Sequence, residues 1–115
     1  MKFSAVVLIV PEEDENRAVG ILKESGATGL TILKGKGLRH NERKTFLGLG
    51  LERKESLLLC VVEKQLAMRI LRSVKVQMKL ELPGGGLGFS LPLGSVIGIG
   101  LEQMLAFRRE VEEDL

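Results

Sequence analysis

The chain has 115 residues, a length that supports one compact domain. Its 44% apolar content is too high for a disordered chain, and 17 Lys and Arg against 15 Asp and Glu is too even a balance to argue for nucleic acid. One cysteine, Cys60, and one histidine, His40, exclude a disulfide framework and a three- or four-ligand zinc site within a single chain. No metal site is expected.

Lys2 to Val10 (KFSAVVLIV) is β-branched and almost continuously apolar, and Pro11 closes it, so a strand is expected there. The same stretch has no basic leader, no small-residue cleavage site and too few residues to span a bilayer, which predicts a cytoplasmic protein. Acidic residues from Glu12 onward suit the positive end of a helix dipole. Ala18, Ile21 and Leu22 then recur at helical spacing and Gly26 stands at a C-terminal cap position, giving a helix near 12–25. Thr28 to Lys34 and Glu55 to Val62 read as the second and third strands. Between Glu63 and Val76 a stripe of Leu66, Ala67, Ile70, Leu71 and Val74 predicts a second helix. The glycines at 84, 85, 86 and 88 mark a turn, Phe89 to Ile99 an interrupted last strand, and Glu102 to Glu112 a charged terminal helix.

The order βαββαβ is that of an α+β ferredoxin-like sandwich, a four-stranded antiparallel sheet with both helices on one face. In such a layout the strands should alternate, yet Val6 to Val10 and Leu57 to Val62 are apolar at every position. The second face therefore needs a cover, and a homo-oligomer is the simplest one; the alternative is an ordinary sheet that the C-terminal helix folds over.

The stretch Lys34 to Lys54 holds seven cations and two carboxylates, a local balance of +5 that leaves −3 for the rest of the chain. Its glycines and its Phe46, Leu47, Leu49 and Leu51 accompany those cations, a combination suited to an anionic ligand or an acidic partner surface. Arg39, Arg43, Lys44, Phe46 and Leu47 are the candidate partner contacts, and 38–50 is expected to lack fixed neighbours. The glycine turn can aim backbone N–H groups at a phosphate or carboxylate. No catalytic constellation is present in the sequence: His40 reads as a solvated loop residue, Cys60 as a small core side chain, and the acidic run Glu110 to Asp114 as a solvated end.

From Met1 to about Gly100 the motif order resembles the PII nitrogen-regulatory signalling family. Gly26-Ala27-Thr28-Gly29-Leu30-Thr31 is similar to that family's Gly-x-Thr-Gly-Met-Thr, Lys34-Gly35-Lys36-Gly37 to its Lys-Gly-Phe-Gly, and Gly84-Gly85-Gly86-Leu87 to its B-loop Gly-Asp-Gly-Lys. Val96-Ile97-Gly98-Ile99-Gly100 stands where the family has Val-Ile-Arg-Ile-Arg. The resemblance implies one PII-like domain over 1–115, with a T-loop-like segment at about 36–53 and a B-loop-like turn at about 82–88. It also implies a non-enzymatic homotrimer, acting in nitrogen or carbon metabolism, that binds a small anionic effector between subunits and regulates a protein target through the loop. The effector it implies is an adenine nucleotide (ADP, AMP or ATP), with Thr28, Gly29 and Thr31 on the adenine side, Gly35, Lys36 and Gly37 at the loop base, and Gly84, Gly85, Gly86 and Gly88 around the phosphates. Leu87, Gly98 and Gly100 replace three family cations, which predicts weak ATP binding. The sequence leaves two other readings open, a divalent-cation tolerance-type trimer of the same fold and a small ferredoxin-like enzyme.

Overall fold

In the computed structural model, residues 2–39, 51–80, 82 and 84–99 are described. The first strand, β1 (Phe3–Pro11), is followed by one 3-10 turn (Glu12–Asp14) and helix α1 (Glu15–Glu24). Then come β2 (Thr31–Arg39), β3 (Leu51–Glu63), helix α2 (Lys64–Met78) and β4 (Leu87–Pro92). All neighbouring strands are antiparallel in the order β2-β3-β1-β4, which confirms the ferredoxin-like sandwich. No described helix is long and apolar enough to cross a membrane.

The ends of the elements follow from local chemistry. At the C-terminus of α1 the Ala27 N–H donates to Leu22 O and the Gly26 N–H to Lys23 O, with Gly26 at φ +107°. That pair of bonds is a Schellman cap, and glycine takes its left-handed position without a steric cost. Glu63 caps α2, its carboxylate accepting from the N–H groups of Gln65 at 2.7 Å and Leu66 at 3.4 Å. This satisfies two of the donors that a helix start leaves unpaired.

Both helices cover one face. Val6, Leu8 and Val10 of β1 and Leu58, Cys60 and Val62 of β3 pack there against Ala18, Ile21 and Leu22 of α1 and Leu66, Ala67, Ile70 and Val74 of α2. The paired register places the alternate residues on the other face, in rows: Leu33, Leu57, Ile9, Leu87; Thr31, Leu59, Val7, Phe89; then Val61, Ala5, Leu91. On that face Ala5 at 7% and Val7 at 9% in the central β1 are buried, while Leu33 at 56% on β2 and Leu87 at 51% and Leu91 at 52% on β4, the edge strands, remain open to solvent. The sheet thus has a second apolar face that no described element covers, as the unbroken apolar strands predict.

Three expectations need correction. The second strand, expected at Thr28 to Lys34, runs from Thr31 to Arg39 and so into the loop-like segment expected from about 36, and β3 starts at Leu51 rather than Glu55. The two strands keep pairing past the end of β1, from Lys36↔Lys54 to Arg39↔Leu51, because a two-stranded antiparallel ribbon satisfies its own ladder and leaves the exposed Lys36 and Lys54 in water. Leu38 and Arg39, expected to lack fixed neighbours, are therefore strand residues. The last strand is β4 at Leu87–Pro92 and not Phe89–Ile99, since Leu93 to Ile99 follow it without strand pairing beyond the single Leu93 N–H to Phe3 O bond. The expected terminal helix at 102–112, and the candidate partner residues Arg43, Lys44, Phe46 and Leu47, lie outside the described residues.

Candidate functional site

The paired extension of β2 and β3 forms an arm that projects beyond Pro11, at the same end of the sheet as the glycine turn that leads into β4. The two are fastened by Arg53. Its Nη1 donates to the carbonyl of Gly84 at 2.9 Å and its Nη2 to Oε1 of Glu55 at 3.1 Å. The Arg53 Nε–H is buried and has no hydrogen-bond partner among the described residues. Glu55 is 8% exposed and lies across Gly37, on the neighbouring strand. A cation, a buried carboxylate and a turn carbonyl thus form a junction between the arm and the turn.

The glycines of the turn have separate duties. Gly86 (φ +121°) brings its α-carbon so near β1 that an added Cβ would stand 2.7 Å from the carbonyl oxygen of Ile9. Gly85 sits 2.9 Å, by the same measure, from the carbonyl oxygen of Lys79, and its N–H donates to Leu82 O. Close packing alone accounts for both. Gly84 (φ +80°) is the exposed member, and the Arg53 guanidinium lies against it.

The remaining candidates fall elsewhere. Thr28 and Gly29 are exposed in the connection before β2, and Thr31, Gly35, Lys36 and Gly37 lie within β2 itself. Gly88 is inside β4 over Leu8. Since β2 and β4 are opposite edges of the sheet with β3 and β1 between them, Thr31 is separated from β4 by three strand spacings, about 14 Å. One chain does not bring the two halves of the predicted cleft together. The junction side chains Arg53 and Glu55 were missed as site residues in the sequence. Their signal was an arginine and a glutamate two apart on one strand, opposite a glycine that leaves room for them.

A second polar cluster holds α1 to the sheet. Ser56, fully buried, donates from Oγ to Oε1 of Glu15 at 2.7 Å, and Lys34 forms an ion pair with the same carboxylate. The hydrogen bond from Lys34 and then that from Ser56 hold the Glu15 carboxyl below the usual carboxylate range. Cys60 is buried in the core, where desolvation pushes its thiol up to about 11. No cluster of three or more His, Cys, Asp or Glu able to hold a metal ion occurs among the described residues.

No family model matches the chain, and no curated protein matches it. Solved structures do. The ATP complex of B. subtilis GlnK is 19% identical over 84% of this chain and 85% of its own, with a TM-score of 0.67. Rice CutA1 is 19% identical over 96% and 94%, with a TM-score of 0.66. A PII-like signalling protein of Thermus thermophilus is 19% identical over 81% and 87%, with a TM-score of 0.60. At such identities the likeness shows the shared PII and CutA fold.

Proposed function

We propose that this protein is a non-enzymatic, PII-like regulatory module that self-associates, as a homotrimer, through the open face of its sheet. It binds a small anionic effector, an adenine nucleotide, in the clefts so formed. The observation that carries this reading is the Arg53 junction, a guanidinium with an orphaned donor that touches the glycine turn and the arm at once. An anion arriving at Gly84 meets a group, the Arg53 guanidinium, whose displacement also changes the contacts of the arm. A ligand that acts through such a group needs only a differential affinity for two arm states, typically 1–3 kcal/mol. Self-association supplies the missing half of the cleft, since the Thr28–Thr31 edge of one copy can approach the glycine turn of the next. Regulation then passes through the arm and its basic loop to a protein target.

The reading is tested by a thermal-shift panel of ATP, ADP, AMP, phosphate and 2-oxoglutarate on the wild-type chain and on Phe89→Glu, which places a charge in the open face. A ligand that prefers the folded assembly raises the melting temperature by mass action. A nucleotide shift present in the wild type and lost in Phe89→Glu supports the reading, and no shift with any member of the panel contradicts it.

The CutA likeness, which spans nearly the whole of both chains, favours a second reading as a divalent-cation tolerance-type trimer. Titration of the assembled protein with Cu²⁺ and Zn²⁺ decides between them, because stoichiometric binding of metal in place of nucleotide would select the second.

A further inference from the structure

The Arg53 guanidinium carries its own counter-charge. Glu55, two residues further along β3, accepts from Nη2 at 3.1 Å, and its side chain is 10% exposed against 28% for Arg53. Side chains two apart on a strand share a face, so the pair stands on the side of the arm that continues the row of Leu33 and Leu57 on the open face of the sheet. Gly37, opposite Arg53 on β2, admits the carboxylate, because the Glu55 carboxyl group takes the space that a Cβ at position 37 would fill. A glutamine at position 55 could accept the same hydrogen bond from Nη2. What the carboxylate adds is a negative charge, in a place where burial makes charge costly unless it is paired.

That charge bears on any ligand of the glycine turn. Nη1 of Arg53 lies on the Gly84 carbonyl at 2.9 Å while Nη2 lies on Glu55, so an anion that reaches the guanidinium also comes within a few ångström of the carboxylate. At that range the hydrogen bonds from Arg53 to one anionic group are short and directional, and they survive the nearby carboxylate. Further phosphates gain less. They feel guanidinium and carboxylate at nearly equal distances, and the two opposite charges largely cancel.

We propose that Glu55 is a specificity-determining residue of this site, a built-in counter-charge that restricts it to anions of low charge, a nucleoside monophosphate rather than a triphosphate. The proposal rests on the reading of the Arg53 junction as the anion site.

The test is calorimetric titration of AMP, ADP and ATP, without magnesium, into the wild-type chain and into Glu55→Gln, Glu55→Asp and Arg53→Ala. Glu55→Gln keeps the acceptor and removes the charge, so it should tighten AMP by about threefold and ATP by about tenfold or more, narrowing the preference between them. Glu55→Asp keeps the charge and should keep the wild-type order of the three nucleotides. Glu55→Ser removes the charge with a smaller group and should narrow the preference as glutamine does, so the result does not hang on the folding of one variant; urea midpoints report the folding of each. A merely structural Glu55 would change all three affinities by the same factor. That outcome, or an unchanged or weakened ATP affinity in Glu55→Gln, overturns the proposal, and if nucleotide binding is still lost in Arg53→Ala the anion site itself stands. Absence of nucleotide binding in every chain overturns the proposal together with the reading it rests on.

Discussion

Two glycines of one strand should respond oppositely to the same methyl group. An alanine Cβ at Gly37 would lie 2.3 Å from the carboxyl carbon of Glu55 and 2.5 and 2.6 Å from its oxygens, whereas at Gly35 nothing lies within 4 Å. Ordinary carbon contacts sit near 3.5–4.0 Å, so Gly37→Ala must displace the Glu55 carboxylate, the end of a flexible side chain, and the expected consequence is a weakened bond to Arg53. A hydrogen bond to a charged group contributes about 1.5–3 kcal/mol. Arg53 has a side chain 28% exposed, so the lower part of that range applies. Against this loss stands the gain of replacing a strand glycine by alanine, about 0.5–1 kcal/mol. The expected net cost of Gly37→Ala is therefore about 1 kcal/mol, while Gly35→Ala should be neutral or stabilising by up to about 1 kcal/mol. Urea denaturation, read as the shift of midpoint at constant slope, measures both. Arg53→Ala supplies the third corner of a cycle: once the guanidinium is gone, Gly37→Ala should cost less by about 0.5 kcal/mol or more, because both substitutions remove one interaction. Equal effects at 35 and 37, or strict additivity with Arg53→Ala, would refute the junction as a coupled unit.

Phe89→Glu should leave a folded chain that no longer self-associates, since Phe89 lies on the open face and is 37% exposed; a wild-type chain that runs as a monomer at micromolar concentration in light scattering contradicts the premise. Cys60 should not react with a thiol reagent at pH 8 in the native state and should react at once in denaturant, and rapid labelling of the native protein would place the thiol outside the core. The Glu15 carboxyl, held low by Lys34 and Ser56, contributes stability that is present at neutral pH and lost as pH falls through its lowered folded value. Glu15→Gln should therefore be less stable than wild type at pH 7 and show a shallower loss between about pH 5 and 3 in acid titrations followed by circular dichroism.

Much of this fold is legible because its strands and helices carry strong periodic signals. Val6 to Val10 and the stripe from Leu66 to Val74 announce a central strand and a core-facing helix, and Gly26 announces a helix end that the Schellman bonds confirm. The unbroken apolar strands also announce a second apolar face, on which Leu33, Leu87 and Leu91 are exposed. The arm was not legible, because Lys34-Gly35-Lys36-Gly37 has the composition of a loop, and only pairing with β3 past the end of β1 makes it strand. The site was legible in part. Its glycines stand out, but the sequence cannot distinguish Gly86, which is packed on Ile9, from Gly84, which faces a guanidinium. Arg53 itself is one of seven cations in its stretch, and what separates it is a contact with Gly84, 31 residues away.

The central claim, that the assembled protein takes an anionic nucleotide at the junction of glycine turn and arm, is tested most directly by calorimetric titration of AMP, ADP and ATP into the wild-type chain and Arg53→Ala. The expected result is saturable binding of AMP or ADP, weaker binding of ATP because Leu87, Gly98 and Gly100 add no cation, and loss of that binding in Arg53→Ala. Tight magnesium-dependent ATP binding, nucleotide affinity unchanged by Arg53→Ala, or no heat of binding with any of the three would contradict it.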